Sequence, residues 1–230
     1  MESYIADCLA KYQTPYRLGK PVLAGSGADD TFDCKAVDCP YVFYHDGLFC
    51  MMYVGFDGAG YQTGLAVSED LIHWRKKGVI LGRKDSVGWD RIGAAGMTML
   101  RTDYDLRRPP TLRKYRGRYW MVYHSYPEMG YEVGPACIGL AWCDDESLMT
   151  WHRLPVPVMS WKTGENWERG GLYKGCLVEN AGRFYLFYNA KDRASGPWHE
   201  QIGLAVSDDL THWSRCPDNP SARVSAGRLG

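Results

Sequence analysis

The feature that most constrains this chain is a short segment that occurs three times, each copy beginning with Gly-Leu-Ala and ending with Trp. The copies occupy residues 64–74, 139–151 and 203–213 of the 230 residues. A unit that recurs in this way buries its apolar face only against neighbouring units. The repeat therefore predicts a ring or a stack of similar units.

The repeat extends well beyond this segment. Residues 32–53 align without a gap onto residues 167–188, and a middle copy aligns so that Tyr53 falls on Tyr123. Gly-containing turns separate runs rich in Tyr, Phe and Met, and no stretch shows helical periodicity. About four short strands per unit are typical of an all-β propeller with four-stranded antiparallel blades. A β-sandwich with accidental internal similarity is the alternative.

This pattern predicts a single propeller domain over residues 1–230, with blades at about 20–82, 83–160 and 161–220. In the middle blade, the alignment places the first apolar strand at Leu112. It also places an insertion between Asp90 and Arg108 that the other two blades lack.

Each blade is preceded by an aromatic residue followed by an acid: Phe32-Asp33, Trp89-Asp90 and Trp167-Glu168. Acids at equivalent positions of different blades would converge on a common axis. They are therefore candidates for paired-carboxylate chemistry. The alternative is a structural device that recurs because the blade recurs, with the carboxylate bonding the backbone of a turn. The sequence leaves both interpretations open.

Composition excludes several classes of function. The 27 basic and 27 acidic residues cancel, which argues against nucleic-acid and membrane partners. The first residues lack the features of a secretion signal, so a cytoplasmic protein is expected. The eight cysteines are scattered, which favours free thiols over disulfides. No metal-ligand cluster is visible and no cofactor is predicted.

The motifs Phe32-Asp-x-x-x-Val-x-x-Pro40 and Gly64-Leu-Ala-x-Ser-x-Asp-Leu-x-His-Trp74 resemble the five-bladed propeller glycosidases of families 43 and 32. The similarity runs from about residue 20 to residue 220. It implies an axial funnel lined by the first strand of each blade, where carboxylates cleave a glycosidic bond of an oligo- or polysaccharide. Five blades need more chain than the three that are visible, so we expect a ring that is incomplete at the C-terminus. Its open blade edge would favour self-association.

The resemblance also tests individual positions. Members of these families usually open the first two blades with Asp-Pro and the third with Glu-Gly or Glu-Cys. The matching positions here read Cys39-Pro40, Pro109-Pro110 and Lys174-Gly175. Asp38, one place before Cys39, is the nearest match, and it joins Asp33, Asp90 and Glu168 as a catalytic candidate.

Candidates for binding the substrate are aromatic and cationic. Trp89 and Trp167 are expected to stack on sugar rings. Residues 89–96 are faintly similar to the family 130 mannoside phosphorylases, which implies cations for an attacking phosphate. The residues that could supply them are Arg91, Arg108, His124 and Lys174. The sequence thus predicts a glycosidic-bond hydrolase. The alternatives are a glycoside phosphorylase and a non-catalytic propeller that binds a glycan or a protein.

Overall fold

The computed structural model describes residues 17–84, 88–105 and 107–221. The amino-terminal residues on which the expectation of a cytoplasmic protein depends lie outside these ranges. Within them, no helix combines the length and the apolar character that crossing a membrane requires.

Three four-stranded antiparallel sheets make up the described chain, in agreement with the predicted four strands per unit. Unit 1 contains the strands β1 (Ala36–His45), β2 (Leu48–Phe56), β3 (Tyr61–Ser68) and β4 (Arg75–Leu81). Unit 2 contains β5 (Ala95–Met99), β6 (Tyr119–Ser125), β7 (Cys137–Cys143) and β8 (His152–Arg153). Unit 3 contains β9 (Gly171–Asn180), β10 (Arg183–Lys191), β11 (Glu200–Ser207) and β12 (Ser214–Arg215). Two 3-10 helices, Trp161–Thr163 and Asn166–Glu168, precede unit 3.

Tight turns connect the first two strands of units 1 and 3, as the sequence predicts. Asp46 and Gly47 have φ values of 47° and 78°, and Ala181 and Gly182 have φ values of 52° and 82°. Two consecutive residues with positive φ match the right-handed twist of a hairpin, and glycine adopts this conformation without steric cost. Each turn therefore sets the register of its own sheet.

The predicted position of the first strand in unit 2 is wrong. That strand is β5, not the segment around Leu112, because Thr98 pairs with Val122 as Tyr41 pairs with Met52. Asp90 stands eight residues before Thr98, and Asp33 stands eight residues before Tyr41, so no insertion separates Asp90 from the first strand of its unit. The extra residues lie between β5 and β6.

The units pack side by side through two apolar cores. One core joins units 1 and 2 and includes Phe43, Leu65 and Met121. The other joins units 2 and 3 and includes Val122, Leu172 and Leu186. The first strands are neighbours, since β5 contacts both β1 and β9. Side chains on the first strands of different units therefore come close together.

Candidate active site

The three repeated acids are buried inside their own units. The exposed fractions of Asp33, Asp90 and Glu168 are 1%, 2% and 0%. Each carboxylate accepts a hydrogen bond from a tyrosine on the second strand of its unit. The tyrosine oxygen lies 3.2 Å from Asp33 Oδ2, 3.0 Å from Asp90 Oδ2 and 2.8 Å from Glu168 Oε1; the donors are Tyr53, Tyr123 and Tyr188.

A cation on the fourth strand completes each arrangement. Lys76 Nζ lies 2.6 Å from Asp33 Oδ2, and Arg215 Nε lies 2.8 Å from Glu168 Oε1. Asp90 has two cations, with Arg153 NH1 at 3.2 Å and Lys84 Nζ at 2.8 Å. We call each group of acid, tyrosine and fourth-strand cation an acid anchor, because it joins the segment before the first strand to the second and fourth strands.

Burial and the adjacent carboxylate together raise the pKa of Tyr53, Tyr123 and Tyr188, which keeps the phenols protonated as donors. Burial alone would raise the pKa of Asp33. The hydrogen bonds and the charge of Lys76 outweigh burial and lower it. The raised pKa of the tyrosines and the lowered pKa of Asp33 both stabilise the anchor at neutral pH.

The glycine of the repeated Gly-Leu-Ala segment leaves space for the anchor. A methyl group at Gly139 would lie 2.5 Å from Tyr123 Cζ and 2.6 Å from Trp89 Cη2, well inside van der Waals contact. Trp89 stacks on Tyr123 with ring centroids 5.5 Å apart, and Trp167 stacks on Tyr188 at 6.0 Å. One face of each predicted sugar-stacking tryptophan is therefore covered by its own unit.

The acid anchors do not bring the three repeated acids together. Each carboxylate is enclosed in a separate sheet, and its oxygens already bind a tyrosine and a cation. This geometry favours the structural interpretation of Asp33, Asp90 and Glu168 that the sequence leaves open. Both carboxyl groups of a catalytic pair would instead have to reach one glycosidic bond.

Other chemistry-bearing side chains do converge, at the edge where β1, β5 and β9 begin and β2, β6 and β10 end. We call this the front edge. Backbone bulges interrupt β1 between Asp38 and Tyr41 and β9 between Tyr173 and Cys176. The residues at the bulges, Cys39 and Lys174, have φ values of 50° and 51°. A bulge re-aims side chains locally, and bulges are frequent next to active sites.

Asp38 is exposed at this edge, and no described residue forms an ion pair with it. Burial raises the pKa of the neighbouring Cys39 thiol to about 11; the charge of Asp38 adds to this and that of Lys174 opposes it. The more distant Glu132 acts in the same direction as Asp38. The pKa of the Cys39 thiol is therefore affected by two carboxylates and one ammonium group, which come from three parts of the chain.

His124 contacts the backbone of Lys174. The backbone N–H of Lys174 donates to His124 Nδ1 at 3.4 Å. Burial, with a contribution from the Lys174 charge, lowers the pKa of His124 to about 3, so the ring is neutral at physiological pH. With Nδ1 accepting, the proton of the neutral ring is placed on Nε2. The structure thus brings together three predicted site residues: Asp38, His124 and Lys174.

Glu132 reaches this group from the β6–β7 loop. Tyr61 donates to Glu132 Oε1 at 3.4 Å, and Gly130 N donates to the Ala59 carbonyl at 2.9 Å, which ties the loop to unit 1. The rings of Tyr61 and Tyr131 pack edge to face, 6.0 Å apart. The loop therefore carries a carboxylate to the front edge.

Unit 3 contributes a second carboxylate and a buried lysine. Glu200 begins β11 and pairs with Lys191 at the end of β10. Trp198 Nε1 donates to Glu200 Oε1 at 3.0 Å, and the Trp198 ring centroid lies 4.6 Å from Lys191 Nζ. Lys191 is only 2% exposed. Its ammonium group also lies 5.8 Å from the ring centroid of Tyr126 and 5.7 Å from that of Tyr173.

Arg108 is far from this group in the fold. It lies on the extra segment of unit 2, where Asp103 and Asp105 pair with it at 3.6 Å. The same segment contacts the far end of β9, since Tyr104 binds the backbone of Leu177 and Glu179. The structure therefore does not place Arg108 with His124 and Lys174. Arg91 is exposed in the segment before β5.

Solved structures similar to this chain include glycoside hydrolases. A solved glycoside hydrolase has a TM-score of 0.81 and 29% identity, covering 98% of this chain and 67% of that protein. The solved BT0996–RGII complex gives a TM-score of 0.80 with the same identity and the same coverage. A family 117 glycoside hydrolase from Zobellia galactanivorans, 18% identical over 83% of this chain and 57% of that one, shows likeness in fold alone, with a TM-score of 0.59.

Among curated proteins, a 1,2-β-oligomannan phosphorylase from Thermoanaerobacter sp. (strain X514) is 26% identical over 76% of this chain. The matched region is 49% of that protein, so this chain spans about half the length of its curated relative. No protein-family model matches the chain. These neighbours support a carbohydrate-active function.

Proposed function

We propose that the three units are consecutive blades of a β-propeller and that the chain forms part of an enzyme that hydrolyses glycosidic bonds at the front edge. The adjacency of β1, β5 and β9 supports a common axis for the three sheets. The glycoside hydrolase that is 29% identical to this chain supports the class of reaction.

One observation carries the proposal. The front edge collects carboxylates from three sequence-distant positions, Asp38, Glu132 and Glu200, and none of the three forms an ion pair with a described residue. Glycoside hydrolysis requires one carboxyl group to protonate the leaving oxygen and another to act as base or nucleophile. We assign this pair to Glu132 and Glu200, because both lie beside the buried Tyr173. Asp38, the third carboxylate of the edge, lies beside Cys39.

The neighbours of these carboxylates suit a sugar. Tyr131 and Trp198 are 67% and 44% exposed. Aromatic faces that remain accessible can stack on sugar rings, and buried hydroxyl and imidazole donors can fix the hydroxyl groups of the sugar. Trp89 and Trp167 have less free area for this role than Trp198.

Turnover of a panel of aryl glycosides and of neutral and acidic oligosaccharides tests the proposal. We expect Glu132→Gln and Glu200→Gln to lower kcat/KM by roughly two orders of magnitude or more, the usual scale for loss of general acid–base catalysis. Glu69→Gln is the matched control, because Glu69 is exposed and lies away from the front edge. Full turnover by the Glu132 and Glu200 variants would contradict the assignment.

A specific observation favours phosphorolysis as the second candidate function. Lys174 and Lys191 form no ion pair with any described residue, and both lie at the front edge. The curated relative is a phosphorylase. A phosphorylase would release a sugar 1-phosphate only when inorganic phosphate is added, whereas a hydrolase would release the free sugar with or without phosphate.

A further inference from the structure

Lys191 is a buried cation with no counter-ion among the described residues. The residue is 2% exposed, and no carboxylate oxygen of the described residues lies within 4.0 Å of its Nζ. Its surroundings are the rings of Tyr126, Tyr173 and Trp198. Ring faces attract an ammonium group but leave its three N–H donors without acceptors.

The groups around Lys191 are also donors that have no acceptor in the part of the chain that the structure describes. The hydroxyl groups of Tyr126 and Tyr173 are buried and have no hydrogen-bond partner in the described part of the chain. The His124 ring lies 5.6 Å from the Tyr126 ring and 6.3 Å from the Tyr173 ring. Because Nδ1 of His124 accepts from Lys174, its Nε2–H is a further donor without a described partner.

The nearby acids keep the phenols protonated without satisfying them. Burial raises the pKa of Tyr126, and Glu132 raises it further; burial and Glu200 do the same for Tyr173. Each phenol lies beside one of these carboxylates, Tyr126 beside Glu132 and Tyr173 beside Glu200, but neither pair has the geometry of a hydrogen bond. Unsatisfied buried donors carry a free-energy cost of desolvation unless a ligand provides acceptors.

We propose that Lys191, His124, Tyr126 and Tyr173 form a binding site for an oxyanion. A group that offers only acceptor oxygens and a negative charge matches four donors, one of them cationic. Two sources share this chemistry: the carboxylate of an acidic sugar unit in the substrate, and inorganic phosphate. The inference rests on the proposed function for the presence of a sugar at the front edge, whereas the donor cluster itself is a feature of the described residues.

Equilibrium binding to the full chain tests the site independently of turnover. Isothermal titration calorimetry measures occupancy, because the chain has nine tryptophans and its fluorescence does not report Trp198 alone. The probes are glucuronate against glucose, galacturonate against galactose, and sodium phosphate against sodium chloride at equal ionic strength. We expect at least one oxyanion to bind at least tenfold more tightly than its neutral or chloride control. Uronate binding without phosphate binding identifies the acidic sugar as the source, and phosphate binding identifies phosphate.

Substitutions locate the binding. Lys191→Met should weaken oxyanion binding roughly tenfold to a hundredfold, the range for charge-assisted hydrogen bonds, while Lys191→Arg should retain most of it. Lys77→Met is the control, since Lys77 is exposed on β4. Tyr173→Phe keeps the ring and removes one donor, so it tests the site even where Lys191→Met fails to fold.

Two results would overturn the proposal: oxyanions that bind no better than their controls, or oxyanion binding that Lys191→Met and Tyr173→Phe leave unchanged in folded protein. The failure of the proposed function looks different. If the chain binds an oxyanion through Lys191 but cleaves no glycoside, the oxyanion site is supported and the proposed hydrolase function is wrong. If the chain hydrolyses neutral glycosides and shows no preference for oxyanions, the hydrolase function is supported and the oxyanion site is wrong.

Discussion

Replacing Glu168 by Gln tests whether the repeated acids are structural or catalytic. Glu168 is fully buried and accepts three hydrogen bonds at 2.8 Å, from Tyr188, from Arg215 and from the backbone of Glu165. Glutamine keeps the shape of the side chain but removes the charge that pairs with Arg215. It also replaces one acceptor oxygen by a donor.

The magnitude follows from these contacts. Removing one partner of a buried ion pair costs about 3–5 kcal/mol. Partial exposure of the Arg215 side chain, at 24%, reduces this because water can solvate the released guanidinium. We therefore expect Glu168→Gln to lower the free energy of unfolding by about 3 kcal/mol. At roughly 2–4 °C per kcal/mol for a domain of this size, Tm falls by roughly 6–12 °C.

Differential scanning calorimetry and urea denaturation measure the effect. Asp208→Asn is the control, because the Asp208–Arg183 pair is exposed and should contribute less than about 1 kcal/mol. A Glu168→Gln protein with wild-type stability and no turnover would refute the reasoning. In that case Glu168 would have a catalytic role and not a structural one.

Three further predictions follow from single residues. Gly139→Ala should lower the free energy of unfolding by about 1–3 kcal/mol in urea denaturation, because the added methyl overlaps two rings; Gly19→Ala, with open space around it, should have no effect, and equal effects would contradict the packing argument. His124 has a pKa near 3 when folded, against an ordinary value of 6.5, so the unfolded state binds more protons and stability should fall as pH drops from about 6.5 to 3. Tm measured against pH should fall less in His124→Gln, and parallel curves would argue against a neutral buried ring. Cys39, with a pKa of about 11, should react slowly with iodoacetamide at pH 8 and faster as the pH approaches 11; equal rates at pH 8 and pH 10 would contradict the raised pKa.

The repeat correctly predicted four strands per unit, because apolar periodicity and turn residues determine local structure. It misplaced the first strand of unit 2 because the alignment rested on Tyr53 and Tyr123 in the second strand. The spacing from the aromatic-acid pair would have located β5 correctly. Backbone pairing, and not similarity of residue type, decides which of two candidate segments joins the sheet.

The sequence identified the acids but not their partners. Lys76, Arg153 and Arg215 each stand two residues after the closing tryptophan of a repeat. A cation that recurs with the acid in every unit indicates an internal ion pair. That regularity favours the structural interpretation of the acids from the sequence alone.

Asp38 was identified from the sequence, but the other two front-edge carboxylates were missed, for a different reason. Glu132 and Glu200 lie outside the aligned segments, and they meet only because loops from units 2 and 3 fold towards the same edge. The sequence contains a clearer indication of the special role of Lys191. The third residue after the repeated tyrosine is Phe56 in unit 1, Tyr126 in unit 2 and Lys191 in unit 3. A cation that replaces an aromatic residue at a buried repeat position indicates a special environment.

The acid anchor has a consequence for how such a chain diversifies. The acid, the tyrosine and the fourth-strand cation of an anchor all belong to one unit. A duplicated unit therefore retains these hydrogen bonds and ion pairs without a matching change in its neighbours. The front-edge residues take no part in the anchor and are free to diverge after duplication. Within this single chain, the residues of the acid anchors therefore agree in chemical character between the three copies, whereas the front-edge residues Cys39 and Lys174 differ.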